Sequence, residues 1–154
     1  MSLLLSPTAD LQLSYSVSPT SPGAVLVDLV LSPAGDAALV AGSARLAQDL
    51  QRFLVTPAGS HFADPSYGTS LWAQIGRPAE ASDETYLSMV EEAESAFLHG
   101  QTVAAAAGYL ALDSQLEAIT DTRIDRSQPG IIGVGFVART RAGETVAGST
   151  PLAG

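Results

Sequence analysis

The apolar residues of this chain change their spacing twice, and that change limits the fold more than any single motif does. From Ala24 to Leu31 (AVLVDLVL) they alternate, with Val25, Val27, Leu29 and Leu31 on one side and Asp28 on the other, as a strand with one buried face requires. Further on the spacing becomes helical, and after Leu116 it returns to two. Strands at both ends with helices between them predict an α+β domain with segregated elements: a small mixed sheet, made of an N-terminal hairpin and a C-terminal antiparallel meander, packed by about three helices.

The residues between these blocks supply the punctuation. Ser32, Pro33, Ala34 and Gly35 suit a type I turn, because proline presets φ at the second position and glycine accepts positive φ at the fourth. The chain then returns from Asp36 to Val40, which predicts a hairpin. Ser43 is the expected N-cap of a helix whose apolar stripe is Leu46, Leu50, Phe53 and Leu54, with Arg45, Gln48, Asp49, Gln51 and Arg52 placed elsewhere. Pro57 ends that helix by disfavouring helical geometry at Thr56 and withholding an N–H. The following stretch, VTPAGSHFADPSYGTSLW, has neither period and reads as an ordered loop.

A second helix starts near Ser82, with Asp83 and Glu84 opposing the positive end of its dipole. It carries the stripe Tyr86, Met89, Val90, Ala93 and Phe97, and Gly100 is the expected stop. QTVAAAAGYLAL reads as a third helix, close-packed through its small side chains. In the last third, Leu116, Ala118, Thr120, Thr122 and Ile124 can share one face of a strand, Pro129 and Gly130 make a turn, and Ile132, Val134 and Phe136 align on the next strand. Another tight turn spans Arg141 to Glu144. The expected boundaries are a loosely held, Ser/Thr/Pro-rich arm at 1–23 with room for a peripheral strand from Leu11 to Val17, one domain at 24–148, and a mobile tail at 149–154.

Composition narrows the function classes. The chain has 154 residues, 46% of them apolar and 15% charged, too hydrophobic and too weakly charged for disorder throughout. A domain of this length buries roughly 68–70% of its unfolded surface. Sixteen acids stand against seven bases, all arginine, for a net charge of −9, so the basic stripe that nucleic acid needs is missing. No cysteine is present, which removes disulfides and thiolate-held metals. MSLLLSPTAD lacks a basic n-region, and no run approaches the roughly 20 apolar residues of a membrane helix. The expectation is a protein neither secreted nor membrane-spanning, with no cofactor.

From Asp28 to Leu71 the order of features resembles the phage baseplate wedge family that includes baseplate assembly protein W and lysozyme-annotated wedge proteins. The matching features are a strand leading into Gly35 and Asp36, Ala47-Gln48-Asp49 on the helix, Leu54 through Thr56 and Pro57 to Gly59, and Pro65 with Tyr67, Gly68, Thr69, Ser70 and Leu71. The chain departs from the family at Gly59-Ser60-His61, where an acid and an arginine often follow the glycine. It departs again at Asp113-Ser114-Gln115, the nearest counterpart of a Glu-Pro-Arg motif. The resemblance implies a fold similar to the tail sheath's own strand-exchanging domain. It also implies a structural, non-enzymatic subunit of a contractile tail baseplate in the virion, assembled in the bacterial cytoplasm. Its partners would be the other wedge proteins and the sheath protein, in repeated copies around the tube, with sheath assembly nucleated by β-augmentation. Candidate contact residues are Tyr67, Trp72, Asp113, Gln115 and Arg123, and the candidate exchanged strands are the arm before Gly23 and the meander after Leu116.

Two other functions compete. An acid-active muramidase needs two carboxylates facing each other across a cleft, whereas Asp83, Glu84, Glu91, Glu92 and Glu94 read as the solvated side and start of one helix. His61 with Asp64 could act as base and orienter, but no nucleophile motif accompanies them, and His99 beside Gly100 suits a helix end. The other alternative is the equivalent subunit of a phage-derived secretion or injection device. Phe62, Tyr67 and Trp72 gather around the loop, with Trp72 and Leu71 expected inside and Tyr67 holding the loop against the sheet.

Overall fold

The computed structural model describes residues 9–17, 25–71, 82–108, 110–129 and 131–153. Trp72, Gly130 and the remainder of the expected arm lie outside the described residues. The fold is α+β. Its elements are β1 (Ala9–Leu11), β2 (Leu13–Val17), β3 (Val25–Leu29), β4 (Leu39–Ala41), α1 (Gly42–Val55), α2 (Asp83–Ala106), β5 (Leu116–Asp125), β6 (Ile131–Thr140) and β7 (Thr145–Ala153). A 3-10 turn at Leu112–Ser114 precedes β5.

The N-terminal strands pair differently from the expected hairpin. β1 pairs antiparallel with β4 and β2 with β3, so the 9–17 segment runs alongside 25–29 and then 39–41. The SPAG turn forms, closed by a hydrogen bond from Gly35 N to Ser32 O at 2.9 Å, with Gly35 at φ +86°. It joins only Leu31 to Ala37, as a neck, and Ala38 N donates to Val30 O at 2.9 Å to close the excursion. The arm supplies the longer ladder: β2 pairs with β3 over five residues, whereas β4 has only three to offer.

Helix α1 starts at Gly42, one residue before the expected cap; Ala41 is the N-cap and no side chain bonds there. It ends as proline requires, with Thr56 extended at φ −88°, ψ 122°. Gln48 and Asp49, expected away from the core, are buried. Gln48 Oε1 accepts from Leu13 N at 2.7 Å, which ties the break between β1 and β2 to the helix.

Helix α2 begins where expected, Ser82 Oγ accepting from Thr85 N at 3.3 Å. Gly100 does not stop it. The second and third expected helices are one helix of 24 residues, which ends only where Gly108 adopts φ +79° and donates to Ala105 O. Gly100 is exposed with open space around it, so the helix bears the modest propensity penalty of one glycine, about 1 kcal/mol against alanine.

The meander is antiparallel, in the order β5-β6-β7. Ile132, Val134 and Phe136 share its inner face as expected and pack against Leu46, Leu50, Phe53 and Leu54 of α1 and Tyr86, Val90, Ala93 and Phe97 of α2. The single face expected for β5 is interrupted. Leu116 opposes Thr140 and Ala118 opposes Arg139, then Ile119 opposes Ala138 and Asp121 opposes Val137, so Glu117 and Thr120 are extra residues at two bulges. The inward side therefore passes from Leu116 to Ile119 and then to Thr122 and Ile124, while Thr120 is exposed. Strand β7 also corrects the expected tail: it continues to Ala153, with Thr150 and Leu152 buried and Leu152 opposite Ile132.

Candidate functional site

Most residues that carry the family resemblance come together in one unit, the end of α1 and the loop after it. Thr69 N donates to Thr56 O at 2.8 Å and Ala58 N to Thr69 O at 2.9 Å, which closes the loop's neck beside Pro57. A Cβ on Gly68 would meet Thr56 O at 2.6 Å and Pro57 O at 2.8 Å, so the neck closes only on glycine. Gly59 takes φ +79° in the turn after Pro57, Leu71 is fully buried, and exposed Pro65 follows Asp64, whose backbone carbonyl accepts from Tyr67 N at 3.0 Å. The Tyr67 ring meets Phe53 edge-on at 5.0 Å between centroids, so the loop is held against α1, not against the sheet as expected. Burial pushes the Tyr67 phenol above its ordinary pKa of 10.0, opposed by the nearby Arg52 guanidinium. Asp49 sits between Arg52 at 2.8 Å and Arg45 at 3.7 Å. Gly35 and Asp36 lie apart from this unit, in the turn beyond β3, where Asp36 O accepts from Ser32 N at 2.7 Å.

The other singled-out residues scatter. His61 Nδ1 accepts from Asp64 N at 3.1 Å, a tie internal to the loop, and Phe62 beside it is 98% exposed. His99 lies within α2, because that helix continues past Gly100. Gln115 is buried and donates to Leu110 O at 2.9 Å. Asp113 is half-buried against the start of α1, where a Cβ on Gly42 would touch its Oδ2 at 3.4 Å. Since α1 has no acid in its first turn, Asp113 supplies from outside the negative charge that a helix N-terminus favours. Of the candidate contact residues that are described, only Arg123 lies at the rim of the meander, exposed and bonded to Asp121 at 3.1 Å. Among the helix acids, Asp83 pairs with Arg126 at 2.8 Å and Glu94 is occupied by a backbone amide.

That Glu94 contact leads to the feature that distinguishes the molecule: the two margins of the meander are closed at particular positions by side chains. Thr140 N donates to Glu144 O at 2.8 Å, so even-numbered residues of β6 bond toward β7 and odd-numbered ones toward β5. Odd-numbered residues of β7 therefore turn outward. Ser149 O accepts from Gln51 Nε2 of α1 at 2.7 Å, and Pro151 has no N–H to present. On β5, Leu116 N is taken by Gln101 Oε1 and Ile119 N by Glu94 Oε1, each at 2.7 Å.

Beyond the second bulge the closure stops. Arg123 and Asp125 oppose Gly135 and Gly133 and bond inward, so Thr122 and Ile124 direct N–H and C=O groups away from the sheet. Among the described residues no hydrogen bond reaches those groups. Both residues are half-buried, and Ile124 packs against the edge of the core. Nothing in the sequence marked Thr122, Ile124, Glu94 or Gln101 as a set, because the bulges that decide which amides face outward leave no compositional trace here.

Fold and site together define an α+β domain whose principal sheet keeps a short, ordered length of its β5 edge, Thr122–Ile124, without a hydrogen-bond partner among the described residues. Comparison with protein-family models, curated proteins and solved structures found no match to the chain.

Proposed function

We propose that the chain is a structural assembly subunit that accepts a strand from a neighbouring polypeptide at Thr122–Ile124, and that the assembly is the baseplate of a contractile phage tail. The observation that carries strand acceptance is the unequal treatment of the β5 margin, closed by side chains at one end and left without a partner among the described residues at Thr122–Ile124. An open edge invites uncontrolled pairing, and folded chains close it with charges, proline or covering side chains. On β5, Gln101 and Glu94 serve that purpose at Leu116 and Ile119, and Thr122–Ile124 on the same strand has no equivalent among the described residues. The baseplate assignment rests on the resemblance from Asp28 to Leu71, most of whose residues build the α1–loop unit. In that setting the chain joins wedge proteins around the tube and gives the sheath a strand partner from which to polymerise.

Thr122→Pro tests this cleanly. The Thr122 N–H points away from β6, so proline removes an outward donor without taking a bond from the β5–β6 ladder. The variant keeps the melting behaviour of the parent and fails to co-purify with the matching wedge and sheath proteins; Thr122→Lys, which leaves the backbone intact, weakens the same association. Undiminished association by both variants would remove this edge from the account.

A further inference from the structure

The chemistry around the open edge specifies what kind of strand can dock there, given that strand addition is what this edge does. We infer that the docking segment is short, extended and basic, with apolar residues at alternate positions. Its length follows from the boundaries of the opening. Glu94 occupies the Ile119 amide at one end, and at the other Ser127 N turns back onto Asp125 Oδ1 at 2.8 Å while Arg126 is drawn to Asp83. Only the stretch between, about four residues of pairing, is available.

The two faces of an added strand would meet different surroundings. On the inner side, Ile119, Ile124 and Met89 are partly buried apolar residues at the core's margin, so inward positions of the incoming strand extend that margin with apolar side chains. On the outer side the middle strand bears glycine twice: Gly133 and Gly135 floor a trough of about 690 Å³ bordered by Arg123, Asp125, Ser149 and Pro151. A side chain reaching outward from the new strand can lie across this floor. Arg123 and Asp121 satisfy each other, which leaves Asp125 as the carboxylate on the trough's border with no ion-pair partner among the described residues, so a long cationic side chain is the complementary one. The net charge of −9 points the same way: it repels a second copy of the chain and any acidic segment, and it steers a basic one.

Two synthetic peptides of about ten residues each, with the same alternating apolar residues and either arginine or glutamate between them, separate the possibilities against isotope-labelled full chain. The arginine peptide slows hydrogen exchange at the Thr122 and Ile124 amides. Raising salt from about 0.05 to 0.5 M weakens it about fivefold or more, and Asp125→Asn weakens it about twofold to fivefold. Equal protection by the glutamate peptide, protection confined to other amides, or no protection by either would overturn the inference. If it fails in any of these ways while Thr122→Pro still abolishes association with the tail proteins, the partner's chemistry is wrong and the docking edge stands; if Thr122→Pro is also without effect, the edge itself is wrong.

Discussion

Gly68 shows how much one residue decides in this molecule. At φ +107° it occupies backbone space that L-residues rarely adopt, and its missing Cβ is what lets Thr56 and Thr69 pair. Gly68→Ala should destabilise the chain by about 2 kcal/mol or more, read as a lower denaturant midpoint with unchanged slope, whereas Gly59→Ala meets no atom within 4 Å and is limited to the strain of its φ. Tyr67, on the same loop, contributes to the loss of stability at alkaline pH. Its phenol ionises less readily when folded than when unfolded, so its contribution is complete below the ordinary value of 10.0 and is lost as pH rises through the higher folded value. Tyr67→Phe should flatten the fall in stability on the alkaline side of pH 10.0 relative to the parent, measured by denaturant titration at stepped pH.

At the scale of elements, Glu94 joins α2 to β5 in a way that helix periodicity alone does not reveal. Its position suits a solvated face, and only the bulge at Thr120 turns the Ile119 amide toward it. Glu94→Ala should cost about 1 to 2 kcal/mol as a charge-assisted bond is lost. It should also accelerate exchange at the Ile119 amide and lengthen the open edge, so concentration-dependent association rises in sedimentation experiments even as the fold weakens. The helices, the inner face of β6 and three turns were legible in the sequence because each follows from local chemistry: Pro57 at the end of α1, Ser82 at the start of α2, Pro33–Gly35, Pro129 and Gly143 at the turns. Helix length past Gly100, the pairing of 9–17 with β3 and β4, and the two bulges were not. Each is settled by tertiary contact: Gln101 bonding Leu116, Gln48 bonding Leu13, and helix side chains meeting displaced amides of β5.

The whole molecule combines an acidic surface, one continuous core beneath the meander, and a β5 margin closed by side chains at Leu116 and Ile119 and left without a partner at Thr122–Ile124 among the described residues. The core needs no partner: Leu46, Leu50, Val134 and Leu116 are at most 1% exposed in the isolated chain. What an assembly would add is backbone pairing on an edge that is already ordered, so docking there carries little of the entropy cost that a folding-on-binding segment bears.

Hydrogen exchange at the Thr122 and Ile124 amides, followed in the free chain and again after mixing with the proposed wedge and sheath proteins, reaches the central claim most directly. Both amides should exchange rapidly in the free chain, in contrast to slow ones at Val134 and Phe136, and become protected on assembly. Slow exchange before any partner is added, or rapid exchange persisting in the assembled state, would contradict strand addition at this edge.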